Sequence, residues 1–397
     1  MVESVYIHIP FCLSKKCVYC DFVSMPYSRS ISDRYLDAVS KEMSLCGLPK
    51  HKLATLFIGG GTPTSLDSVQ LKKLVKTIGR NFDFHEDAEI TIEANPATVD
   101  AEKLRVLLEL GVNRISLGVQ SFNDAELKLL GRIHSSTDAL EALDSAKKAG
   151  FENGRISIDL IYGIPGQNMD DWRKTLDTAL MLGVTHISAY ELTLEENTPL
   201  SGLVKKGPLL MPEEDEMLRF YFMAEEALEN AGFIHYEISN YAMPGHESRH
   251  NMNYWRRGEY LGFGAAAHSF KDGKRWGNNE DVFQYMELLE KDRLPAVDIC
   301  ELTPEDAKRE FVFLGLRTRE GIFLSLSKVA EPAMPDLFVQ DDLFLRDDLF
   351  VKGIAKAAAP LIKEGLLQIS GCRLHATHNG FPLLNSIILR LLAGAGL

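Results

Sequence analysis

The sequence predicts an α/β fold made of repeated βα units, followed by a smaller α+β domain. Three observations support this prediction. Short β-branched runs alternate with helical periodicity through the first 240 residues, a glycine phrase recurs where helices give way to strands, and the alternation changes after about residue 245. Parallel strands joined by right-handed crossovers form either an open doubly wound sheet or a full or partial (β/α) barrel. In both folds the functional residues lie beyond the C-terminal ends of the strands.

Six short β-branched runs are the predicted strands. They span residues 5–9, 55–59, 89–93, 114–118, 155–162 and 186–192. Helical segments fill the gaps, and in residues 32–46 the side chains of Tyr35, Val39, Met43 and Cys46 share one face. This pattern places Cys46 in a core, where a cysteine is an inert buried thiol.

A recurring phrase links helices to strands: "LGVNRISLG", "AGFENGRISID", "LGVTHISAY" and "AGFIHYEIS". Gly111, Gly150, Gly183 and Gly232 each occupy the position where a helix ends in a left-handed C-cap before a buried strand begins. The repeated unit is therefore βα.

The chain is predicted to divide into residues 1–245, a connecting segment 246–290 and a C-terminal domain 291–397. Within the last, residues 302–322 have a helical pattern that starts at a Thr-Pro pair, and the final "LNSIILRLLAGAGL" is an amphipathic helix packed on its neighbours. Residues 336–350 repeat Asp-Leu-Phe three times, and we assign this repeat no function.

The composition excludes several classes of partner. With 397 residues, 45% hydrophobic and 25% charged, the chain resembles a soluble globular protein. No apolar run reaches the roughly 18 to 20 residues that span a bilayer, and no signal peptide is recognisable, so we expect a cytoplasmic protein without stable membrane insertion. A net charge of −13 opposes binding to nucleic acid.

Three cysteines, Cys12, Cys17 and Cys20, fall within nine positions near the start of the chain. In a reducing compartment this spacing indicates a metal or cluster site, holding either zinc or an iron–sulfur cluster; chance proximity of the three cysteines is the third alternative. A structural zinc site needs a fourth ligand, and His8 is a poor candidate because it lies within a strand. A cubane held by three cysteines keeps one iron open for a small-molecule ligand.

The next predicted strands end in special groups at the same rim. The glycine-rich turn Gly59–Thr64 lets a backbone approach a ligand closely and hold an ammonium or a carboxylate. Glu93 could bind a pair of ribose hydroxyls, Gln120 follows the fourth strand, and Asp159 lies in an apolar run where a buried carboxylate must be paired or ligand-bound. Together these groups suit a zwitterionic nucleoside next to a cluster.

Seven motifs in order carry a family resemblance: "YIHIPFC", "GGGTPT", "EITIEANP", "RISLGVQSF", "LGRIH", "IDLIYGIPGQ" and "ESRHNMNYWR". The sequence resembles radical S-adenosylmethionine (SAM) proteins, and more narrowly the HemN/HemW group of coproporphyrinogen dehydrogenases and haem chaperones. The match runs from Tyr6 to about Ser269 and resumes more weakly in the C-terminal domain. It implies a partial (β/α)6-type radical SAM barrel with a winged-helix-like C-terminal domain.

The resemblance also implies the cofactors and their residues. Cys12, Cys17 and Cys20 would bind a [4Fe-4S] cluster, and SAM would bind its open iron. Contacts to SAM are implied for Tyr6, Gly60, Gly61, Thr62 and Glu93, and a second SAM in the dehydrogenases lies near residues matching Tyr19, Gln120, Arg132 and Asp159. One departure is the spacer "LSKK", which has four residues where the family usually has three. The extra residue could bulge outward between Ser14 and Lys16.

Two features separate the branches of this group. Its dehydrogenases have a further cysteine two residues after the third, whereas this chain has Phe22, the pattern of the HemW branch. That branch also has an HNxxYW motif, which is here His250, Asn251, Tyr254 and Trp255. The resemblance implies haem binding there, because imidazole can ligate iron and aromatic rings can pack on a porphyrin. Without the resemblance, such a group is a hydrogen-bonded structural cluster.

The resulting hypothesis is a haem chaperone that passes haem to an acceptor, such as a respiratory haem protein. The alternative is an oxygen-independent coproporphyrinogen III dehydrogenase, which decarboxylates propionate side chains to give protoporphyrinogen IX. A third hypothesis is a zinc-stabilised barrel with a binding role only.

Overall fold

The structure is a computed structural model, which describes residues 2–13, 16–47, 50, 52–151, 153–324 and 348–397. Ser14, at the predicted bulge of the cysteine spacer, and most of the Asp-Leu-Phe repeat lie outside these residues. No helix in the described ranges is long and apolar enough to cross a membrane.

The strands of the described chain are, in order, β1 Ser4–Ile9, β2 Phe11–Cys12, β3 Met25–Pro26, β4 Lys52–Gly60, β5 Asp83–Ala94, β6 Arg114–Gln120, β7 Ile156–Tyr162, β8 His186–Glu191, β9 Ile234–Glu237, β10 Asn240–Ala242, β11 Leu261–Phe263, β12 His268–Lys271, β13 Lys274–Asn278, β14 Ala296–Glu301, β15 Ile322–Phe323, β16 Leu367–Ser370 and β17 Arg373–Ala376.

The α-helices of the same ranges are α1 Arg29–Leu45, α2 Ser68–Asn81, α3 Ala101–Glu109, α4 Asp124–Leu129, α5 Ser136–Ala149, α6 Met169–Met181, α7 Pro199–Lys205, α8 Glu214–Asn230, α9 Arg249–Trp255, α10 Val282–Glu290, α11 Pro304–Gly315, α12 Asp348–Lys363 and α13 Leu384–Ala395. Short 3₁₀ turns occupy Pro63–Ser65, Pro96–Thr98, Asn153–Arg155 and Phe381–Leu383.

Among the described residues, nine strands form the main sheet, in the order β11-β1-β4-β5-β6-β7-β8-β10-β9. The six predicted strands are its central parallel part, and all six are confirmed. β11 extends this part in parallel beside β1, whereas β10 pairs antiparallel with β8. β11 and β9 are the two edge strands of this sheet and do not pair with each other, so the barrel is partial, as the resemblance implied.

The four glycine C-caps are confirmed, since Gly111, Gly150, Gly183 and Gly232 all have φ between +65° and +116°. The last repeat differs from the first three, because β9 pairs antiparallel with β10. Only two residues separate these strands, and a parallel crossover needs about a dozen or more.

The side chains that point into the barrel are largely polar. In the register, Ser4 of β1 pairs with Thr55 of β4, and Thr55 pairs with Glu89 of β5. Nearer the C-terminal ends, Glu93 pairs with Ser116, and Asp159 pairs with Ser188. Alternate residues of a strand share a face, so these positions all belong to one interior. We call Ser4, Thr55 and Glu89 its lower level, and Glu93, Ser116, Asp159 and Ser188 its upper level.

The C-terminal part contains a sheet of β15, β17 and β16 with helices α11 to α13. The predicted start of α11 is confirmed, because Thr303 caps it in a capping box with Asp306. The predicted terminal helix is also confirmed as packed, with Leu384, Ile387 and Leu391 buried. The division of the chain into three segments stays a prediction.

A buried carboxylate joins α1 to the elements around β11. Glu42 accepts hydrogen bonds from Gly264 N at 2.9 Å, Asn278 Nδ2 at 2.6 Å and Tyr285 Oη at 2.5 Å. Burial raises its pKa from 4.5 to about 7, although these three donors oppose the rise. The folded protein therefore keeps a proton that the unfolded chain releases between these two values.

This proton makes stability fall as the pH rises. Between pH 4.5 and about 7 the native state binds more protons than the unfolded state, so the free energy of unfolding decreases, by about 3 kcal/mol for this group. We expect Glu42→Gln to show a smaller decrease than wild type in urea denaturations at about pH 5 and about pH 8. Equal decreases in the two proteins would contradict the assignment to Glu42.

Candidate functional site

A cavity of about 350 Å³ opens at the C-terminal ends of the parallel strands. Cys12, which ends the short strand β2 three residues after β1, and Tyr190 of β8 both line it, so the sheet curves until its first and sixth predicted strands face each other. Eleven of the residues predicted to hold the cluster and SAM are in its wall: Cys12, Cys17, Tyr19, Cys20, Gly60, Gly61, Thr62, Glu93, Gln120, Arg132 and Asp159.

The cysteine loop, residues 12–23 as far as described, is folded back onto the sheet. Tyr27 N donates to Cys12 O at 2.7 Å, and His8 Nε2 contacts Val23 O at 2.8 Å. Two side chains reach the sulfurs: Arg132 Nη1 lies 3.4 Å from Cys17 Sγ, and Thr62 Oγ1 lies 3.8 Å from Cys12 Sγ. All three cysteines are free thiols, and burial raises the pKa of Cys20 to about 11.

The donor set distinguishes between the two metal hypotheses. Cys12, Cys17 and Cys20 line one cavity, whereas both ring nitrogens of His8, the candidate fourth zinc ligand, already have partners, Tyr6 Oη at 3.0 Å and Val23 O at 2.8 Å. A structural zinc site needs four ligands. A cubane held by three cysteines needs no fourth protein ligand, so the donor set fits an iron–sulfur cluster better than zinc.

The glycine loop approaches its neighbours so closely that side chains are excluded. A Cβ on Gly59 would lie 2.8 Å from Glu93 Oε2, and one on Gly60 would lie 2.7 Å from the His8 ring. The amides of Gly60, Gly61 and Thr62 donate to Glu93 Oε2, Ile9 O and Phe11 O respectively. A ligand at this loop would therefore meet acceptors, which suits an ammonium and not the carboxylate that the sequence also allowed.

Two carboxylates share the upper level of the barrel. Burial, with the charge of Asp159 as the second cause, raises the pKa of Glu93 to about 8. Burial also raises the pKa of Asp159, although the hydroxyls of Ser188 and Ser116 donate to it at 2.8 Å and 3.2 Å. Asp159 is thus hydrogen-bonded, as its apolar setting required, and Glu93 holds a proton near neutral pH.

Arg132 brings a positive charge to the cavity wall. Its Nη2 donates to Gly118 O at 2.6 Å, and its Nη1 lies 3.4 Å from Cys17 Sγ. A guanidinium forms strong charge-assisted hydrogen bonds with an anionic ligand group. The carboxylate of SAM has that chemistry, so the residues present fit this cofactor.

Tyr6 is the one predicted SAM residue outside the cavity wall. Its side chain lies below the glycine loop, where Tyr6 Oη contacts His8 Nδ1 at 3.0 Å and the Tyr6 ring stacks on Phe57. A contact from Tyr6 to SAM stays a prediction.

The HNxxYW residues lie in and around helix α9, away from the cavity. The His250 ring is 1% exposed, with Nδ1 2.8 Å from Thr55 Oγ1 and Nε2 2.8 Å from Tyr254 Oη. Thr55 donates its own proton to Ser4 Oγ, so its oxygen accepts from Nδ1–H, and Nε2 then accepts from Tyr254. The Trp255 side chain donates a hydrogen bond to the Glu237 carboxyl, and Asn251 N donates one to Ser248 Oγ.

These contacts concern the haem site that the motif predicted, which stays a prediction. Burial lowers the pKa of His250 to about 3, so the imidazole is neutral, yet both its nitrogens are already bonded within the protein. Iron ligation needs a free nitrogen lone pair, and His250 offers none here.

Sequence reasoning missed part of the cavity wall. Ser116, Tyr190 and Glu191 also line the cavity. Ser116 and Ser188 donate hydrogen bonds to Asp159. The signal was present, because Ser188 and Tyr190 alternate on the same face of a predicted strand that ends at the functional rim.

The family model of the radical SAM superfamily matches residues 6–179. Together with the cavity at the strand ends and its three thiols, this match defines the class: the chain is a radical SAM protein, and its cofactors are a [4Fe-4S] cluster and SAM.

The relatives narrow the class. The haem chaperone HemW of Bacillus subtilis is 39% identical over 97% of this chain and 98% of its own length. HemW of Escherichia coli K12 is 38% identical over 68% of this chain and 71% of its own. The chain belongs to the HemW family. Among solved structures, the coproporphyrinogen III oxidase HemN of Escherichia coli superimposes with a TM-score of 0.81 at 25% identity, covering 98% of this chain and 89% of that one.

Proposed function

We propose that this protein is a cytoplasmic haem chaperone on a radical SAM scaffold. It binds haem, holds the cluster with exchangeable SAM, and transfers haem to an acceptor protein such as a respiratory haem protein. The observation that carries this proposal is Phe22, which stands where the dehydrogenases of the group have a further cysteine. Its side chain lines the cavity mouth and is 60% exposed. The full-length similarity to proteins named haem chaperones supports it.

The cavity's own residues have distinct tasks in this proposal. Cys12, Cys17 and Cys20 would hold the cluster, which supplies an open coordination position and one-electron chemistry when bound. Arg132 would pair with the carboxylate of SAM and also touches the sulfur of Cys17. Glu93 would form hydrogen bonds with ribose hydroxyls. The haem ligand is not assigned to His250, because neither of its nitrogens is free.

The second candidate is a coproporphyrinogen III dehydrogenase. Two observations favour it: the fold superimposes on HemN, and Tyr19, Gln120, Arg132 and Asp159 all line the cavity, where the dehydrogenases place a second SAM.

One paired assay separates the two functions. We expect haem titration of the purified protein to give a saturable Soret band, and anaerobic incubation with coproporphyrinogen III, SAM and reductant to give no protoporphyrinogen. The physical reason is that Phe22 contributes no thiol to the cavity mouth. Purified HemN is the positive control for the second arm. Decarboxylation at a rate similar to that of HemN would overturn the chaperone proposal, as would a titration without saturation.

A further inference from the structure

The HNxxYW residues form a plug at the end of the barrel opposite the cofactor cavity. We define this α9 plug as residues 248–255. His250 bonds to Thr55, which is paired with Ser4 at the start of β1, whereas the cavity lies beyond Gly60 at the end of β4. Glu89, on the same lower level as Thr55, accepts from the backbone amides of Arg249 and His250 at 3.3 Å and 3.1 Å.

A continuous chain of contacts leads from the α9 plug to the cysteine loop. The His250 ring stacks on Phe57, with centroids 5.1 Å apart and planes at 26°, and Phe57 stacks on Tyr6 at 6.2 Å. Tyr6 Oη contacts His8 Nδ1 at 3.0 Å, and His8 Nε2 contacts Val23 O at 2.8 Å.

Each step of this chain is fixed in orientation. A carbonyl only accepts, so His8 donates from Nε2 to Val23 and accepts from Tyr6 at Nδ1. The Phe57 ring has little freedom to move, because it lies directly against the backbone of Gly59. A Cβ added to Gly59 would lie only 2.9 Å from this ring. His250 is fixed by Thr55 on one side and Tyr254 on the other. The position of Val23, three residues after Cys20, therefore depends on packing that begins at His250.

We propose that His250 is a positioning residue that supports the cysteine loop from below, and that it is not a ligand of haem iron. Its imidazole is hydrogen-bonded to Tyr254 and Thr55 and packs on the ring of Phe57. Phe57 packs on Tyr6, and Tyr6 contacts His8, so this packing fixes the position of the cysteine loop. This role rests on the radical SAM class of the protein. It does not require that the chain is a haem chaperone.

The decisive variant is His250→Gln. A glutamine amide has one acceptor and a donor, like a neutral imidazole, so it can bond to both Tyr254 and Thr55, but it cannot replace imidazole on iron. We expect this variant to keep most of its iron and sulfide and to bind haem within about threefold of the wild-type Kd, with an unshifted Soret band. A shifted band, or a Kd raised more than about tenfold in a protein of wild-type Tm, would show that His250 ligates haem and would overturn the proposal.

His250→Ala tests the positioning role directly. We expect several-fold less iron and sulfide after anaerobic reconstitution and a changed electron paramagnetic resonance signal of the reduced cluster, because the loop loses its support. The matched control is His268→Ala, which removes an exposed histidine of β12 and should leave both readouts unchanged. A His250→Ala protein with wild-type cluster content and signal, whatever its Tm, would overturn the positioning role.

Phe57→Leu covers the case in which His250→Ala does not fold. It breaks the ring stack but leaves the hydrogen bonds of His250 in place, and it should lower cluster content in the same way. Wild-type cluster content in Phe57→Leu would contradict the contact chain. If wild-type protein gave no saturable Soret band, the chaperone proposal would fail alone, because the cluster readouts would still test His250.

Discussion

Cys17→Ser is expected to purify with almost no iron and sulfide, and without the broad visible absorption of an iron–sulfur cluster. Cys12, Cys17 and Cys20 are the thiols of one cavity, and two cysteines cannot hold a cubane that three hold with one iron open. Cys17 is the cysteine chosen for this test, because its sulfur also contacts another residue of the cavity wall: Arg132 Nη1 lies 3.4 Å from Cys17 Sγ. SAM affinity should fall with the cluster, by at least about tenfold, since the open iron is lost with it.

The apoprotein should survive this change. Cys17 is only partly buried and lies outside the strands, so we expect the free energy of unfolding of cluster-free protein to change by less than about 0.5 kcal/mol. The matched control is Cys300→Ser, which replaces an exposed cysteine of β14 and should keep full iron and sulfide. Full cluster content in Cys17→Ser, or stoichiometric zinc without sulfide in wild type, would contradict the assignment.

The parallel part of the fold was predictable because it is coded locally. Each of Gly111, Gly150 and Gly183 ends one helix, and a buried β-branched run follows within a few residues, so short windows of sequence contain the whole signal. The antiparallel β9–β10 pair was not predictable in this way. The phrase "AGFIHYEIS" before β9 resembles the other three phrases. Only the short connection after β9 makes β10 run antiparallel to it.

The two parts of the predicted site differ for a related reason. Groups near the C-terminal ends of parallel strands must meet at one edge of the sheet, so placing Glu93 and Asp159 on two strands of the parallel part was enough to bring them into one cavity. The surroundings of His250 depend on Thr55, which is 195 residues away in sequence. Nothing in the short motif HNxxYW shows that a distant hydroxyl and Tyr254 occupy both nitrogens of the imidazole.

The lower level of the barrel contains the ion pair whose disruption should cost most in stability. Glu89 is 1% exposed, and its Oε2 lies 3.5 Å from Nη1 of Arg114, which is also buried. Arg114 donates to His246 O at 3.1 Å, and its Nη2 has no partner in the part of the chain that the structure describes. Glu89→Ala would therefore leave a buried guanidinium without its ion-pair partner and would remove the acceptor of two amides at the start of α9.

We expect Glu89→Ala to lower the free energy of unfolding by about 3 to 5 kcal/mol, the usual cost of breaking a buried pair from one side. Urea denaturation of cluster-free protein measures this loss, and Glu86→Ala, an exposed residue of the same strand, is the control. The loss of stability in Glu89→Ala comes from the unpaired buried charge of Arg114. The double variant Glu89→Leu/Arg114→Met removes this charge and should therefore recover part of the stability. A double variant less stable than Glu89→Ala, or a single-variant loss equal to that of Glu86→Ala, would show that the pair does not stabilise the lower level of the barrel.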